Sequence, residues 1–160
     1  MPTVVDLSSL GTDGFTIQGG AAGDQAGYSV SAAGDVNGDG FDDIIVGAPF
    51  NDASNFAGKA YVIFGKASGF GTLDLSNLHA ADGFVIQGED QYDAAGTSVS
   101  GAGDINGDGF DDIIVSALAQ YDFYYSGRST AHVIFGKQSP ASVDLDSFSP
   151  SDGFVILGEY

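Results

Sequence analysis

Short apolar runs rich in β-branched residues recur along the chain, and Gly- and Asp-rich segments separate them. Runs of this length with turn residues at both ends predict β-strands and not helices. The three consecutive apolar residues Ile44, Ile45 and Val46 do not alternate with polar ones, so we expect both faces of their strand to be covered. Eight strands are predicted at 28–33, 43–48, 60–64, 84–87, 97–102, 112–117, 131–135 and 154–157.

These strands fall into an internal repeat. The segment GDVNGDGFDDIIVGA at 34–48 recurs as GDINGDGFDDIIVSA at 103–117, which is 69 residues later. A DGF element occurs three times, beginning at Asp13, Asp82 and Asp152. Four strands per repeat is the content of one antiparallel propeller blade.

The predicted fold class is therefore all-β, with two four-stranded antiparallel β-propeller blades and one extra outer strand. Residues 21–90 form the first blade and residues 91–160 the second. Residues 1–20 supply the outer strand that completes an adjacent blade.

Charge narrows the range of partners. The chain of 160 residues has 22 acidic and 4 basic side chains, which gives a net charge of −18 and excludes a nucleic-acid binder that relies on phosphate contacts. Of the acidic residues 20 are Asp, a residue that favours turns over helix faces, so the carboxylates are expected in loops. No apolar run is long enough to span a membrane, and the start of this chain has no signal-peptide pattern.

The most informative segment is a nine-residue loop that occurs once in each repeat. Oxygen-bearing side chains stand at its positions 1, 3, 5 and 9, and Gly40 or Gly109 at position 6 permits a sharp turn that lets the carbonyl of position 7 face inward. Such a set of hard oxygen donors, with no thiol or imidazole nearby, favours Ca²⁺ over Zn²⁺, Cu²⁺ or iron, and also over Mg²⁺.

Two other interpretations of the loop fit the sequence less well. Asn-Gly and Asp-Gly pairs form tight turns without any metal, but three carboxylates within nine residues repel one another, at about 4 kcal/mol per close pair for an effective dielectric near 20. An EF-hand requires Glu at position 12, where this chain has Val46 and Val115, and strand formers follow position 9. The loop therefore joins two strands.

Taken together, the pattern GxSVxxAGDxNGDGxDDIIVGAP followed by GxAYVIFG resembles the FG-GAP repeat of integrin α-subunit β-propellers and of bacterial surface proteins. Phe64-Gly65 and Phe135-Gly136 match the Phe-Gly element, and Gly47-Ala48-Pro49 matches Gly-Ala-Pro. The second repeat departs from this pattern with Ser116-Ala117-Leu118.

The resemblance implies two Ca²⁺ ions, one per blade, between the first and second strands. Asp42 and Asp111, at position 8, are expected to point away from the ions. Carried over by position, the ligands are Asp35, Asn37, Asp39, the Phe41 carbonyl and Asp43 in the first blade, and Asp104, Asn106, Asp108, the Phe110 carbonyl and Asp112 in the second.

For function, the resemblance implies a non-catalytic module of an extracellular or cell-surface protein that recognises a protein or glycan ligand. No nucleophile elbow or phosphate-binding loop is present, and a structural role is expected for His79 and His132. Two alternatives stay open. The blades could be an accessory part of a secreted hydrolase, such as a phospholipase or glycosidase, or an excised or designed repeat fragment that self-assembles.

Two blades do not close a propeller, which needs 4 to 8. We therefore expect either self-association or neighbouring blades, and the extra strand at 14–18 would cover the edge of a neighbouring blade. The second repeat also has an enlarged aromatic loop, Gln-Tyr-Asp-Phe-Tyr-Tyr at 120–125. Its aromatic residues either anchor a ligand or pack under a neighbouring blade.

Overall fold

A computed structural model of the chain describes residues 7, 10, 14–50, 56–68, 70–88, 92–118 and 129–158. The aromatic loop at 120–125 lies outside these residues. None of the helices in the described part is long and apolar enough to cross a membrane. The described residues form strands β1 (Ile17–Gln18), β2 (Ser29–Gly34), β3 (Asp43–Ala48), β4 (Lys59–Ile63), β5 (Leu73–Asp74), β6 (Gly83–Gln87), β7 (Ser98–Gly103), β8 (Asp112–Ala117), β9 (Thr130–Ile134), β10 (Val143–Asp144) and β11 (Gly153–Leu157), with 3₁₀ helices at Leu75–Asn77 and Leu145–Ser147.

The strands form two antiparallel sheets that correspond to the two repeats. Blade 1 consists of β2, β3, β4 and β6, and blade 2 consists of β7, β8, β9 and β11, each hydrogen-bonded in that order. The prediction of an all-β fold with two four-stranded blades is confirmed. Strands β3 and β8 have the predicted bounds, and the ends of the other predicted strands differ by at most one residue.

Two very short strands were not predicted. Strand β10 pairs in parallel with β6, with Val143 opposite Ile86, and so adds a fifth strand to the sheet of blade 1. Strand β5 pairs in parallel with β1 in the same way, with Leu73 opposite Ile17. Only two residues of the extra outer strand predicted at 14–18 are extended in a strand, and they pair within this chain.

Apolar residues of both blades share one core. Ile45 and Val62 of blade 1 and Ile113 and Val115 of blade 2 are fully buried in the same cluster. Ile44 points to the opposite face of β3, where it packs against a second cluster that contains Tyr61 and Leu75. Both faces of β3 are therefore covered, as the unbroken apolar run predicts.

A repeated contact joins the Phe-Gly element to the DGF element of each blade. The Phe64 N–H donates to the Asp82 carbonyl at 2.9 Å, and Lys66 Nζ lies 2.8 Å from the Asp82 carboxylate. In blade 2 the Phe135 N–H donates to the Asp152 carbonyl at 2.8 Å, and Lys137 pairs with Asp152 at 3.2 Å. The ends of β4 and β9 are fixed in this way beside the Asp-rich loops.

Candidate metal centre

The Asp-rich loop of each blade connects the first strand to the second and turns at its glycines. In blade 1, Gly38 and Gly40 have φ values of 74° and 88°, and in blade 2, Gly107 and Gly109 have 77° and 94°. Only glycine adopts these angles without strain. The sharp turn predicted at position 6 is confirmed in both loops.

The polar side chains of the first loop fold back onto its own backbone. Asp35 accepts hydrogen bonds from the Asp39 and Gly40 N–H groups at 3.0 and 2.9 Å. Asn37 Oδ1 accepts from the Asp39 N–H at 2.9 Å, and Asp39 Oδ1 accepts from the Phe41 N–H at 2.9 Å. These bonds gather positions 1, 3 and 5 around one turn of backbone.

The second loop repeats this arrangement. Asp104 accepts from the Asp108 and Gly109 N–H groups at 3.0 and 2.9 Å. Asn106 Oδ1 accepts from Asp108 at 2.9 Å, and Asp108 Oδ1 accepts from the Phe110 N–H at 3.0 Å. Because the two loops differ at only one of nine residues, the shared geometry follows from the motif itself.

The carboxylate at position 9 is buried beneath each loop. Asp43 accepts from the Val36 N–H at 3.0 Å and from the Gly65 N–H at 2.8 Å. Asp112 accepts from the Ile105 and Gly136 N–H groups, both at 2.9 Å. Each of these aspartates thus links the start of its loop to the glycine of the Phe-Gly element.

The Phe-Gly glycines leave no room for a side chain. A Cβ atom on Gly65 would lie 2.4 Å from the Asp42 carbonyl oxygen and 2.7 Å from Phe41 Cβ. A Cβ atom on Gly136 would lie 2.4 Å from the Asp111 carbonyl oxygen. The absence of a side chain at these positions lets the last strand residues approach the loop closely enough to bind Asp43 and Asp112.

Burial and neighbouring charges act on Asp43. Desolvation by burial, the largest effect, and the negative charges of Asp39 and Asp35 together raise its pKa to about 6, against the lowering effect of the hydrogen bonds from Gly65 and Val36. The charges of Asp35 and Asp39 therefore lie close enough to disfavour ionisation of Asp43. A bound cation would relieve this repulsion.

The donor set suits Ca²⁺ chemically, since each loop offers three carboxylates, one amide oxygen and backbone carbonyls. Each oxygen that accepts one N–H keeps a free lone pair. No group of three or more acidic, His or Cys side chains in metal-binding geometry occurs within the described ranges. The ten ligand residues named from the sequence therefore stay a prediction.

The loops of the two blades contact each other through position 8. The Asp111 carboxylate accepts from the Asp35 N–H at 2.8 Å, and the Asp111 N–H donates to the Asp35 carbonyl at 3.1 Å. The Phe110 ring packs over Gly38 of the first loop, where a Cβ atom would lie 2.4 Å from it. The sequence analysis gave the aspartate at position 8 no role beyond pointing away from the ion. That an aspartate occurs at position 8 in both repeats was the sequence signal for a further role.

His132 lies in a buried apolar setting away from the loops. Its ring packs edge-on against Phe148 with 5.3 Å between ring centroids, and Nδ1 is 3.4 Å from Thr130 Oγ1. Burial lowers its pKa. Tyr61, at the same place in blade 1, has its pKa raised to about 12 by burial and by the charge of Asp24. This environment fits a structural role for His132.

The fold and the loops define a class: consecutive antiparallel blades of a β-propeller, each with an Asp-rich loop between its first and second strands. A family model described as FG-GAP repeat matches residues 26–63, which span the first three strands of blade 1, and residues 95–132, which span the first two strands of blade 2 and the beginning of β9. Residues 26–63 and 95–132 are therefore FG-GAP repeats.

Similar proteins are integrin α subunits. The chain is 33% identical to Integrin alpha ina-1 of Caenorhabditis elegans over 99% of the chain and 16% of that protein. It is 32% identical to Integrin alpha-7 of Rattus norvegicus over 81% of the chain and 11% of that protein. For Integrin alpha-PS2 of Drosophila melanogaster the identity is 35% over 76% of the chain and 8% of that protein. The chain thus spans less than a fifth of the length of these relatives.

Proposed function

We propose that this chain is a calcium-stabilised, non-catalytic pair of propeller blades from an extracellular or cell-surface protein that takes part in adhesion or recognition. The observation that supports it is the fold of the two loops, in which the side chains at positions 1, 3 and 5 accept hydrogen bonds from one turn of backbone in each blade. The similarity to integrin α subunits supports the adhesion part of the proposal.

Each ion would be held by the carboxylates and amide of its loop, with the carbonyl of Phe41 or Phe110. The ion would neutralise part of the loop charge that now disfavours ionisation of Asp43. Because an unfolded loop binds Ca²⁺ poorly, the binding free energy adds to the folding free energy. Millimolar affinities are typical of extracellular calcium modules and would suit such a protein.

Structural coupling between the loops gives the ion a role beyond its own blade. The first loop is held by Asp111, which belongs to the second loop. An ion that orders either loop therefore also orders the contact between the blades. Stabilising the arrangement of blades, and hence the surface that they present, is the function that we assign to calcium.

Calorimetric titration with CaCl₂ and thermal unfolding in calcium, magnesium and chelator test the proposal. We expect two sites and a higher melting temperature in calcium than in magnesium or chelator. Asp39→Asn and Asp108→Asn remove one charge each but keep an acceptor oxygen, so each should reduce the stoichiometry to one. Asp146→Asn, an exposed carboxylate outside the loops, is the matched control. Two sites that persist in the loop variants would contradict the assignment.

A further inference from the structure

An asparagine followed by a glycine occurs at the same place in both Asp-rich loops. Asn37-Gly38 and Asn106-Gly107 stand at positions 3 and 4 of their loops. Such pairs are chemically labile, because glycine has no side chain to hinder attack of its backbone nitrogen on the side-chain amide carbon of the asparagine. This attack gives a cyclic succinimide and ammonia, and water then opens the ring to aspartate or isoaspartate. The groups around each amide therefore determine how fast it reacts.

The second loop surrounds its asparagine amide with three groups that favour this reaction. The nucleophile, the Gly107 N–H, donates to Asp104 Oδ1 at 2.7 Å, so a carboxylate is in position to accept its proton. Asn106 Oδ1 accepts from the Asp108 N–H at 2.9 Å, and this donor stabilises the negative charge that develops on the oxygen during the attack. Asn106 Nδ2, which leaves as ammonia, donates to Asp108 Oδ2 at 2.9 Å. A base, an oxyanion donor and a partner for the leaving group thus meet at one amide.

The first loop has only two of these three groups. Asn37 Oδ1 accepts from the Asp39 N–H at 2.9 Å, and Asn37 Nδ2 donates to Asp39 Oδ2 at 3.0 Å. The Gly38 N–H, however, donates no hydrogen bond within the described ranges. The two loops have the same residues from position 3 to position 9, so the base at the nucleophile is a difference of structure and not of local sequence.

We propose that Asn106 is a self-modification site, at which Asp104 and Asp108 of the same loop promote deamidation to aspartate or isoaspartate. The Gly107 nitrogen forms a bond to Asn106 Cγ while its proton passes to the Asp104 carboxylate. The bond between Cγ and Nδ2 then breaks, and ammonia leaves with that proton. One water molecule opens the succinimide, so the net change converts an amide and water into a carboxylate and ammonium.

Both products change the loop at position 3. Aspartate adds a fourth carboxylate to those of Asp104, Asp108 and Asp112, whereas isoaspartate adds one carbon to the main chain and displaces the residues that follow. In the function proposed above, Asp104 and Asn106 are both calcium ligands. A loop whose Asp104 and Asn106 oxygens bind Ca²⁺ should therefore react slowly, and this part of the inference rests on the proposed function. Deamidation would then be confined to chains that have lost calcium.

Peptide mass spectrometry of the folded chain, incubated in chelator at about 37 °C, tests this proposal, because each deamidation adds about 1 Da. Asn106 should deamidate at least about tenfold faster than Asn37. Asn77, which is exposed and is followed by Leu78, should be the slowest of the three. In about 8 M urea the two Asn-Gly pairs should react at equal rates, because the residues that follow them are the same. Equal rates in the folded chain would overturn the proposal.

The substitution Asp104→Asn tests the base. The new amide oxygen can still accept the Gly107 N–H but is far less basic, so the rate at Asn106 should fall to about that at Asn37. Asp146→Asn, at an exposed site outside the loops, is the control and should change neither rate. Near-ultraviolet circular dichroism identifies variants that remain folded. A fast reaction of Asn106 in the folded Asp104→Asn variant would contradict the proposed role of Asp104.

Incubation with excess CaCl₂ separates this inference from the calcium assignment. Slower deamidation of Asn106 in calcium than in chelator would support both. A fast reaction of Asn106 that calcium leaves unchanged would count only against metal binding by the second loop. Equal rates at Asn37 and Asn106 in chelator would count only against the self-modification.

Discussion

The Asp111 carboxylate accepts a hydrogen bond from the Asp35 N–H at 2.8 Å, and this bond joins the loops of two different blades. Asp35 is the first predicted metal ligand of its own loop. Its side chain accepts hydrogen bonds from the backbone of its own loop. Its main-chain N–H and its carbonyl oxygen are both hydrogen-bonded to Asp111. The position of a ligand in one blade therefore depends on the blade that follows.

Replacing Asp111 by Ala should destabilise the folded chain by about 1–3 kcal/mol, because the Asp35 N–H loses a charged acceptor at a partly buried junction. Asp42→Ala is the matched control, since this exposed aspartate has the same loop position and, among the described residues, no acceptor role. Urea unfolding at a few micromolar protein measures both free energies. If the two variants lost equal amounts of the free energy of unfolding, the hydrogen bond between Asp111 and Asp35 would contribute nothing to stability.

Gly136→Ala should cost about 1–3 kcal/mol or more, because the new methyl group would lie 2.4 Å from the Asp111 carbonyl oxygen and 2.9 Å from the Val36 carbonyl oxygen. These are backbone atoms, which cannot turn aside as a flexible side chain can. Gly71→Ala provides the comparison, since nothing lies within 4 Å of a Cβ atom there. Thermal unfolding of both variants tests this prediction, and the melting temperature of Gly136→Ala should be the lower of the two. A Gly136 variant as stable as the Gly71 variant would contradict the close approach.

The raised pKa of Asp43 predicts a pH dependence of calcium binding to the first loop. In the metal-free protein this pKa is about 6, above the ordinary 3.8, so Asp43 stabilises the fold when protonated, and that contribution is lost as pH rises through 6. Calcium binding requires the ionised form. Apparent affinity at this loop should therefore fall about tenfold per pH unit below pH 6, measured by titration of the Asp108→Asn variant, in which the second site is removed. A constant affinity between pH 7.5 and pH 5 would refute the coupling.

His132 predicts a separate loss of stability in acid. Burial lowers its pKa below the ordinary 6.5, so the unfolded chain binds a proton before the folded one does. The contribution of the neutral ring to the free energy of unfolding is complete above pH 6.5, and it is lost as pH falls through the folded-state pKa. His132→Tyr introduces the residue found at this position in blade 1, and His79→Gln changes an exposed histidine. Urea unfolding measures how far the free energy of unfolding falls between pH 7.5 and pH 5.5. This fall should be smaller in His132→Tyr than in the wild-type chain, and unchanged in His79→Gln.

Much of the fold was predictable because the signals were local. The apolar run of β3 and the glycines of the Asp-rich loop determine strand and turn directly from neighbouring residues. Because the segment repeats, the strands predicted for one blade also predict the second blade. Strand ends were predicted to within one residue for the same reason.

The parts that sequence reasoning missed depend on contacts between distant segments. Strand β10 is two residues long and gains its extended form by pairing with β6, more than fifty positions earlier in the chain. The role of Asp111 likewise exists only when two loops meet, so a single loop gives no sign of it. The aspartate at position 8 had no evident role in the sequence, because its hydrogen-bond partner, Asp35, lies 76 residues away.

The central claim is that each Asp-rich loop holds one calcium ion, and anomalous diffraction from crystals grown with excess CaCl₂ tests it most directly. We expect one anomalous peak in each loop, with the side-chain oxygens of Asp35, Asn37, Asp39 and Asp43, and of their equivalents in the second loop, at about 2.3–2.6 Å. Well-ordered loops with no anomalous peak in either blade would contradict the account.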